Sequence, residues 1–455
     1  MLNILIISPH FAPTNAPDMQ RIRLLLPHFE KHDVKAKVLA VSPECVDFPQ
    51  DKWLESEIPS SSEVFRVKAL GFPWRKIPGL GSVSTRSFAS LRRQGNQLLE
   101  KEGFDLVYFS TTQFGVHLLG PYWKSKFGVP FVMDFQDPWV NDYYRVNPDI
   151  HPPGGRIKFA AANWFNRQAE PRVIRECLGI TSVSPAYPQS IQARYPDTHI
   201  NSWPCDSGRS LTGIPAFVAP FPAELSEDST RVPASSQTIF NPNDGNQHWL
   251  YAGRCGDYMQ TSLSALFLAF QQLRKEKPTI FENLSIHFVG TQYCVDSKTP
   301  SPIQKLAEKY DLIDLVTEHP ERIPYSETMQ CLDDANLLIV PGSDDPGYSA
   351  SKIFPYILSD TPTLGVFHED SSVIKISKEA GGSLTIPFSS NCATAKIADR
   401  ILLHFDGTAA SIDRPINRQV LRQYSANHQA GQLADFFHDC LSGQFSERSG
   451  IALTS

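Results

Sequence analysis

The sequence lacks the features that mark several large classes of protein. Its 455 residues carry a formal net charge of −6 and contain no block of basic residues, which argues against nucleic acid as a partner. The eight cysteines are scattered, with no CxxC pair and no clustered Cys/His spacing, so neither a structural zinc site nor a disulfide framework is expected. No apolar run approaches the roughly 20 residues that a membrane-spanning helix needs.

Three shorter patterns are also missing. The chain enters a strand directly at residues 2–7, without a basic segment or a cleavage site, so we expect a cytoplasmic protein. No GxGxxG motif follows that strand, and a dinucleotide fingerprint is therefore absent. No DxD pair flanks an apolar strand in a way that demands Mg²⁺, since Asp344-Asp345 has the character of a turn-forming pair. We expect no metal and no bound cofactor.

What the sequence does contain is a repeated alternation of short apolar strands and amphipathic helices. A hydrophobic content of 41% and a charged content of 20% are typical of a soluble globular chain, and 455 residues are too many for one core. The alternation occurs on both sides of a polar stretch, which predicts an α/β protein with two doubly wound, Rossmann-like domains facing a central cleft. The predicted boundaries are 1–205 for the first domain, 206–246 for a linker, 247–424 for the second domain and 425–455 for a last helix and tail.

The most informative stretch covers residues 337–366. A buried apolar strand is followed by a turn-rich loop and a short helix, whose start is marked by Ser349 and Ser351. Free backbone N–H groups and the positive end of the helix dipole form an anion site at such a point. Lys352 in the first turn would oppose the dipole, so a bound anion explains it better than helix stability does. A solvated lysine on an ordinary helix is the alternative.

Two further polar side chains follow predicted strands, at the edge where α/β sheets bind ligands. Arg254 comes directly after a strand and Gly253, so together with Lys352 it offers two cations to one anion. A nucleotide diphosphate has that charge, and its departure from a sugar needs such stabilisation. Asp137 follows a buried strand and precedes a proline that fixes the turn, which makes it a candidate for chemistry. A helix or turn cap is the alternative for Asp137.

These patterns, taken in order, resemble the GT-B-fold glycosyltransferases, and most of all the retaining family 4 (group one) enzymes. The resemblance covers most of the chain, and its specificity comes from the order and spacing of the segments rather than from any one of them. The segments are ILIISPHFAP with Arg21 in the following helix, FDLVYFSTTQFG, PFVMDFQDPW, ITSVSP, YAGRCGD, IHFVGT, ERIPYSETMQCLDDANLLIVPG and SASKIFPYILSDTPTLGV.

The resemblance implies a nucleotide-sugar donor (a UDP-, GDP- or TDP-sugar) held by the second domain. It implies a glycan, lipid-linked or small-molecule acceptor held by the first domain, and a last helix that crosses back to that domain. The donor-binding residues predicted in this way are Thr14, Asn15, Gly253, Arg254, Gly290, Arg322, Ile323, Tyr348, Ser349, Ser351 and Lys352. The catalytic candidates are Gln136, Asp137, Arg254 and Lys352.

The chain also departs from the family's pattern. Two glutamates separated by seven residues are usual there, and Gly347 and Pro355 stand at those positions, so the contacts of these carboxylates to sugar and ribose hydroxyls are missing or replaced. The first-loop Gly-Gly is Asn15-Ala16, the lysine after the Gly-Arg strand falls near Gln260, and the usual histidine is Gln136. We therefore predict a divergent glycosyltransferase that acts with retention. A catalytically silent GT-B module that binds a nucleotide or sugar as a partner or scaffold is the alternative, and a sugar-nucleotide epimerase is a third hypothesis.

A Pro/Gly/aromatic loop runs over residues 74–84. This composition is typical of a segment that lines an open face or touches a membrane surface, and an irregular surface loop is the alternative. The resemblance implies a loose membrane association through it. The sequence predicts neither the sugar nor the oligomeric state.

Overall fold

The computed structural model describes residues 1–77, 79–142, 145, 155–204, 213–225, 237–292, 301–348, 352–412 and 415–443. They form two compact units, each built on its own β-sheet. The first unit comprises the described residues of 1–222 and 424–443, and the second unit those of 223–423. None of the described helices is both long enough and apolar enough to cross a membrane.

The first unit contains an eight-stranded sheet whose paired strands are parallel. Its strands are β1 (Leu2–Ile7), β2 (Val34–Val41), β3 (Glu63–Val67), β4 (Leu106–Ser110), β5 (Phe131–Phe135), β6 (Gly179–Ser182), β7 (Ile200–Trp203) and β8 (Ile214–Val218). The order across the sheet is β3-β2-β1-β4-β5-β6-β8-β7, so the winding direction changes between β1 and β4. Strands β4, β5 and β6 are buried along their whole length, and β4 and β5 are mostly apolar, as is usual for strands that are covered on both faces.

The second unit contains a six-stranded parallel sheet. Its strands are β9 (Gln247–Ala252), β10 (Leu284–Val289), β11 (Val316–His319), β12 (Leu337–Pro341), β13 (Thr363–His368) and β14 (Ser383–Phe388). The order is β11-β10-β9-β12-β13-β14, with the change of direction between β9 and β12. The predicted α/β class with two doubly wound sheets is confirmed.

Helices connect the strands in both units. The α-helices are α1 (Gln20–Leu25), α2 (Lys52–Ser56), α3 (Val83–Lys101), α4 (Leu119–Phe127), α5 (Arg156–Ile174), α6 (Ala186–Arg194), α7 (Gln260–Glu276), α8 (Pro278–Phe281), α9 (Pro302–Lys309), α10 (Tyr325–Asp334), α11 (Ile353–Leu358), α12 (Ser372–Ala380), α13 (Thr394–His404), α14 (Arg418–Arg422) and α15 (Ala426–Ser442). The 3-10 helices are Pro17–Met19, Leu26–His32, Pro43–Cys45, Phe72–Lys76, Phe114–Leu118, Pro196–Thr198, Asp257–Met259 and Ala409–Ile412.

The last helix, α15, belongs to the first unit although it follows the second in sequence. Its Phe437 ring lies 5.1 Å from that of Tyr108 on β4, and its Phe436 ring lies 5.3 Å from Trp203. Nε1 of Trp203 donates a hydrogen bond to Asp439 at 3.0 Å. The helix therefore completes the core of the unit that begins at the N-terminus.

The structure corrects the sequence prediction at two places. The predicted linker 206–246 contains β8, which pairs with β6 and β7 and so belongs to the first sheet. A five-residue strand inside a polar stretch has too little pattern to be recognised before its partners are known. The short helix that we placed at Ser349 or Ser351 begins at Ile353 in the described residues, so Lys352 precedes it rather than standing in its first turn.

Candidate functional site

The carboxyl ends of β9 and β12 mark the place where the second sheet changes its winding direction. Open α/β sheets bind ligands in the crevice outside such a pair of strand ends. The segment after β9 carries Gly253 and Arg254, and the segment after β12 leads to Lys352. Arg322 follows β11 at the same edge of the sheet. Parallel strands thus bring three basic side chains to one edge of the second unit.

The Lys352 ammonium lies directly over Gly253. A Cβ atom at Gly253 would stand 1.7 Å from Nζ of Lys352 and 2.8 Å from Oη of Tyr251. Nζ also lies 5.3 Å from the centre of the Tyr251 ring, which is a distance for a cation–π contact. Position 253 therefore requires glycine, because any side chain there would occupy the space of the ammonium. Among the described residues, Lys352 makes no ion pair with a carboxylate.

Arg254 and Arg322 extend the positive charge around Lys352. Burial lowers the pKa of Lys352, and the nearby guanidinium groups of Arg322 and Arg254 lower it further, to about 8. The Arg254 guanidinium lies 5.6 Å from the centre of the Tyr258 ring. The carbonyl of Arg254 accepts a hydrogen bond from Oη of Tyr251 at 2.8 Å, which fixes the backbone at this point. We call Arg254, Arg322 and Lys352 the cation cluster.

Tyr356 ties the helix that follows Lys352 to the end of β9. Its buried Oη accepts a hydrogen bond from the backbone N–H of Ala252 at 2.7 Å and donates one to the carbonyl of Ala252 at 3.1 Å. This link holds α11 against the strand that leads to Arg254. Sequence reasoning did not single out Tyr356, although a tyrosine hydroxyl on a buried helix usually needs a hydrogen-bond partner, and that was the available signal.

The other predicted donor-binding residues of the second unit lie around the same edge. Gly290 directly follows β10 and has a φ of +67°. A Cβ there would lie 3.7 Å from Cα of Arg322, so the two residues are neighbours. Ile323 and Tyr348 are both partly buried. The carbonyl of Tyr348 accepts a hydrogen bond from Oγ of Ser371 at 3.3 Å. The predicted residues Ser349 and Ser351 lie outside the described part of the chain.

Asp344 and Asp345, the acidic pair beside this edge, make hydrogen bonds of the kind found in turns and helix caps. Oδ1 of Asp345 accepts a hydrogen bond from the backbone N–H of Gly347 at 2.9 Å. Burial raises the pKa of Asp344, while its hydrogen bonds with Thr261 at the start of α7 work against that rise. Among the described residues, no three His, Cys, Asp or Glu side chains are grouped so that they could hold a metal ion.

In the first unit, Gln136 is locked into a buried polar network. Its Nε2 donates hydrogen bonds to Oδ2 of Asp134 at 2.9 Å and to Oγ of Ser110 at 3.0 Å. Arg21 pairs with the same carboxylate at 3.0 Å. Oε1 of Gln136 is buried and has no hydrogen-bond partner among the described residues. Asp137, by contrast, is exposed directly after this network.

A second buried network lies where the first sheet changes its winding direction. Nδ1 of His10, after β1, lies 2.8 Å from Oδ1 of Asp18. Oδ2 of Asp18 accepts hydrogen bonds from Oγ1 of Thr111 at 2.9 Å and from the backbone N–H of Thr112 at 3.1 Å, both after β4. Burial raises the pKa of Asp18, but His10 and these hydrogen bonds outweigh it, so the pKa lies below its ordinary value. Sequence reasoning missed this pair.

The predicted donor-binding residues of the first loop are buried in the first unit. Thr14 is fully buried, and its Oγ1 has no hydrogen-bond partner among the described residues. The backbone N–H of Asn15 donates to the carbonyl of Pro49 at 2.8 Å, and Thr14 bridges to Gln50. The segment 49–51 therefore packs along this loop.

Comparison with known proteins places the fold. No family model matches the chain, and no curated protein matches its sequence. Among solved structures, Anabaena HepE in complex with UDP-glucose is similar over 96% of this chain and 100% of its own, with 13% identity and a TM-score of 0.58. Sucrose-phosphate synthase from Thermosynechococcus elongatus matches over 97% and 100%, with 14% identity and a TM-score of 0.58. A UDP-forming α,α-trehalose-phosphate synthase from Burkholderia xenovorans matches over 98% and 100%, with 10% identity and a TM-score of 0.60.

At these identities, the likeness concerns the fold, and it covers nearly the whole length of each chain. The two doubly wound sheets are those of the GT-B fold, as the resemblance implied.

Proposed function

We propose that this protein is a glycosyltransferase that uses a nucleotide sugar, in first place a UDP-sugar, as its donor. The observation that carries the proposal is the cation cluster at the switch point of the second sheet. Lys352 has a lowered pKa there and makes no ion pair with a described carboxylate. A bound diphosphate would supply the missing negative charge. The solved structures of similar fold include HepE with UDP-glucose and a UDP-forming synthase, which supports uracil as the base.

The reaction breaks the bond between the anomeric carbon of the sugar and a diphosphate oxygen, and forms a bond from that carbon to the oxygen of an acceptor hydroxyl. The proton of that hydroxyl goes to the departing diphosphate. Negative charge develops on the departing diphosphate, so cations that already stand at its position stabilise the transition state more than the ground state. Arg254 and Lys352 would take this role, with Gly253, Gly290, Arg322, Ile323 and Tyr348 around the nucleotide. Backbone N–H groups at Ser349 and Ser351 would add to it.

The finer features rest on the resemblance to the retaining family 4 enzymes. We propose transfer with retention of configuration, with Asp137 and Gln136 near the acceptor or the anomeric carbon. The acceptor would be a glycan, a lipid-linked sugar or a small molecule, held by the first unit. A lipid-linked acceptor would bring the protein to a membrane surface.

The test measures donor binding and turnover separately. The purified chain is titrated with UDP-, GDP- and TDP-sugars by calorimetry, and nucleotide release is followed in the absence of an acceptor. We expect a UDP-sugar to bind and to be slowly hydrolysed. Lys352→Ala should weaken binding by about tenfold to a hundredfold, which corresponds to the 1.5–3 kcal/mol of a charged hydrogen bond. Lys396→Ala, at an exposed lysine of α13, is the matched control and should bind normally.

A second function remains a specific alternative. Gly347 and Pro355 stand where the family carries its two glutamates, which favours a GT-B module that binds a nucleotide sugar without turning it over. Nucleotide-sugar binding that depends on Lys352, without nucleotide release in the presence of any acceptor, would identify that module. An absence of binding to every nucleotide sugar would contradict both functions.

A further inference from the structure

Lys37, on β2, shows how carboxylates keep a largely buried lysine in its charged form. Its side chain is 13% exposed, and Nζ lies 2.6 Å from an oxygen of Glu63 and 2.7 Å from an oxygen of Glu102. Burial acts to lower the pKa of Lys37, but the hydrogen bonds with Glu102 and Glu63 outweigh it, so the pKa lies above 10.5. Lys37 therefore stays an ammonium at neutral pH, and an ammonium has no lone pair with which to attack a carbon atom.

The surroundings of Lys352 have the opposite charge. Burial lowers the pKa of Lys352 to about 8, the guanidinium groups of Arg322 and Arg254 act in the same direction, and the thiol of Cys255 acts against them. At pH 7.5 about a quarter of such a lysine is neutral amine, against about one part in a thousand at the ordinary pKa of 10.5. Desolvation and neighbouring cations are the means by which proteins make a lysine nucleophilic.

The neutral amine of Lys352 has a fixed position and an available lone pair. Nζ lies over Gly253 and 5.3 Å from the centre of the Tyr251 ring. Oη of Tyr251 donates its hydrogen to the carbonyl of Arg254 at 2.8 Å, so that hydrogen does not engage the amine. In the part of the chain that the structure describes, Nζ makes no hydrogen bond. Lys352 also keeps part of its surface exposed, which gives a small molecule access to it.

Arginine side chains at two neighbouring strand ends stand beside this amine. Arg254 follows β9 and Arg322 follows β11, and both charges act on Lys352. Guanidinium groups bind phosphate oxygens through paired hydrogen bonds. A phosphate held by these arginines brings a carbon atom that is bonded to one of its oxygens within reach of Nζ.

We propose that Lys352 is an acylation site, at which a small acyl phosphate transfers its acyl group to Nζ. The neutral amine attacks the carbonyl carbon of the acyl phosphate. The C–N bond of an amide forms, the bond from the carbonyl carbon to the phosphate oxygen breaks, and the phosphate departs with the electron pair. The proton that the nitrogen loses goes to the phosphate, which leaves as hydrogen phosphate. Arg254 and Arg322 hold the phosphate before this step and stabilise it as it departs.

The neighbouring thiol of Cys255 does not compete for the acyl group. The thiolate is the nucleophilic form of cysteine, and burial raises the pKa of Cys255, so the thiol stays protonated at neutral pH. Lys37 does not compete either, because its two carboxylates keep it charged. The amide should therefore form at Lys352 in preference to these two side chains.

Acylation of Lys352 would also regulate donor binding, and this part of the inference rests on the proposed function. An amide carries no positive charge, so acylation removes the cation that a diphosphate needs. The acyl group would also occupy the space beside Gly253. We expect the acylated protein to bind UDP-glucose at least about tenfold more weakly, as Lys352→Gln should.

The test incubates the full chain with acetyl phosphate at pH 8 and follows each lysine by quantitative peptide mass spectrometry. We expect Lys352 to be acetylated about tenfold or more faster than the exposed Lys396 of α13, and faster than Lys37. Inorganic phosphate should slow the reaction at Lys352 and leave Lys396 unchanged. These measurements use the wild-type protein, so they do not depend on the folding of a variant.

A second reagent separates the binding of phosphate from the reactivity of the amine. Acetic anhydride carries the same acetyl group without a phosphate. Arg322→Gln should therefore slow the reaction of Lys352 with acetyl phosphate several-fold more than the reaction with acetic anhydride. Arg400→Gln, at an exposed arginine of α13, is the matched control and should leave both rates unchanged. Lys396 serves as the internal standard in each protein.

The proposal is overturned if Lys352 reacts with acetyl phosphate no faster than Lys396, or if inorganic phosphate has no effect on its rate. Equal slowing of both reagents by Arg322→Gln also overturns it, since the arginine then holds no phosphate. UDP-glucose binding that depends on Lys352, without selective acetylation, would contradict only this inference. Selective acetylation that UDP-glucose does not prevent, in a protein that binds no nucleotide sugar, would instead contradict the proposed function.

Discussion

Lys352 holds a positive charge at a position where its surroundings disfavour that charge. Burial, Arg322 and Arg254 all act to lower its pKa, which lies near 8 against an ordinary value of 10.5. Between these two values the unfolded chain binds more protons than the folded one, so a rise in pH over this window stabilises the ligand-free fold. An anion bound beside the ammonium favours the charged form of Lys352 and therefore raises the pKa of Lys352.

Donor binding should therefore take up protons near pH 8. We expect calorimetric titrations with UDP-glucose to depend on the ionisation enthalpy of the buffer at pH 8–9, and the affinity to fall above pH 8 by up to about tenfold per pH unit. In Lys352→Gln the buffer dependence should disappear, whereas Lys396→Ala should keep it. Wild-type affinity that is constant from pH 7 to pH 9.5 would contradict this account.

At the scale of elements, the position of the cation cluster depends on how α11 is attached to β9. Tyr356 supplies that attachment through its two hydrogen bonds with Ala252. The helix itself has only six residues, so tertiary contacts rather than helix propensity must hold it in place.

Tyr356→Phe should lower stability and donor affinity together. Loss of the hydroxyl leaves the N–H and carbonyl of Ala252 without their partner, at a cost of about 1–3 kcal/mol in the free energy of unfolding. Denaturant unfolding and UDP-glucose titration measure the two effects. Tyr310→Phe is the control, because Tyr310 is buried and its hydroxyl makes no hydrogen bond with a described residue. Equal behaviour of the two variants would mean that the attachment is unimportant.

The elements differ in how far the sequence predicts them. β1 and the segment 337–341 were predictable because a strand buried on both faces is a continuous apolar run. The proximity of Arg254 and Lys352 to one edge was predictable because parallel strands end on the same side. β8 was not, because its partners lie elsewhere in the chain. The His10–Asp18 pair was not predictable either, since hydrogen-bond geometry carries no periodic signal.

At the scale of the whole molecule, the chain forms two units, each with its own sheet and its own point where the winding direction changes. The described residues of 1–222 do not complete the first unit by themselves, because α15 supplies Phe436 and Phe437 to its core. The cation cluster lies in the other unit. Stability of the first unit and donor affinity should therefore respond to different substitutions.

Phe436→Ala should destabilise the first unit without changing the donor site. Phe436 is fully buried and packs on Trp203 and Phe217, so truncation should cost about 3–5 kcal/mol. Urea unfolding followed by tryptophan fluorescence measures the cost, and UDP-glucose affinity in dilute buffer should be unchanged. Leu441→Ala, at an exposed position of the same helix, is the control, and Phe436→Leu is a milder variant should the first fail to fold.

The ammonium that rests on Gly253 has a consequence for sequence variation. Any side chain at 253 would occupy the volume that Nζ of Lys352 fills, so the two positions constrain each other. In a library randomised at both sites and selected for donor binding, glycine and lysine should be recovered as a pair. A survivor with alanine at 253 should carry a shorter side chain at 352.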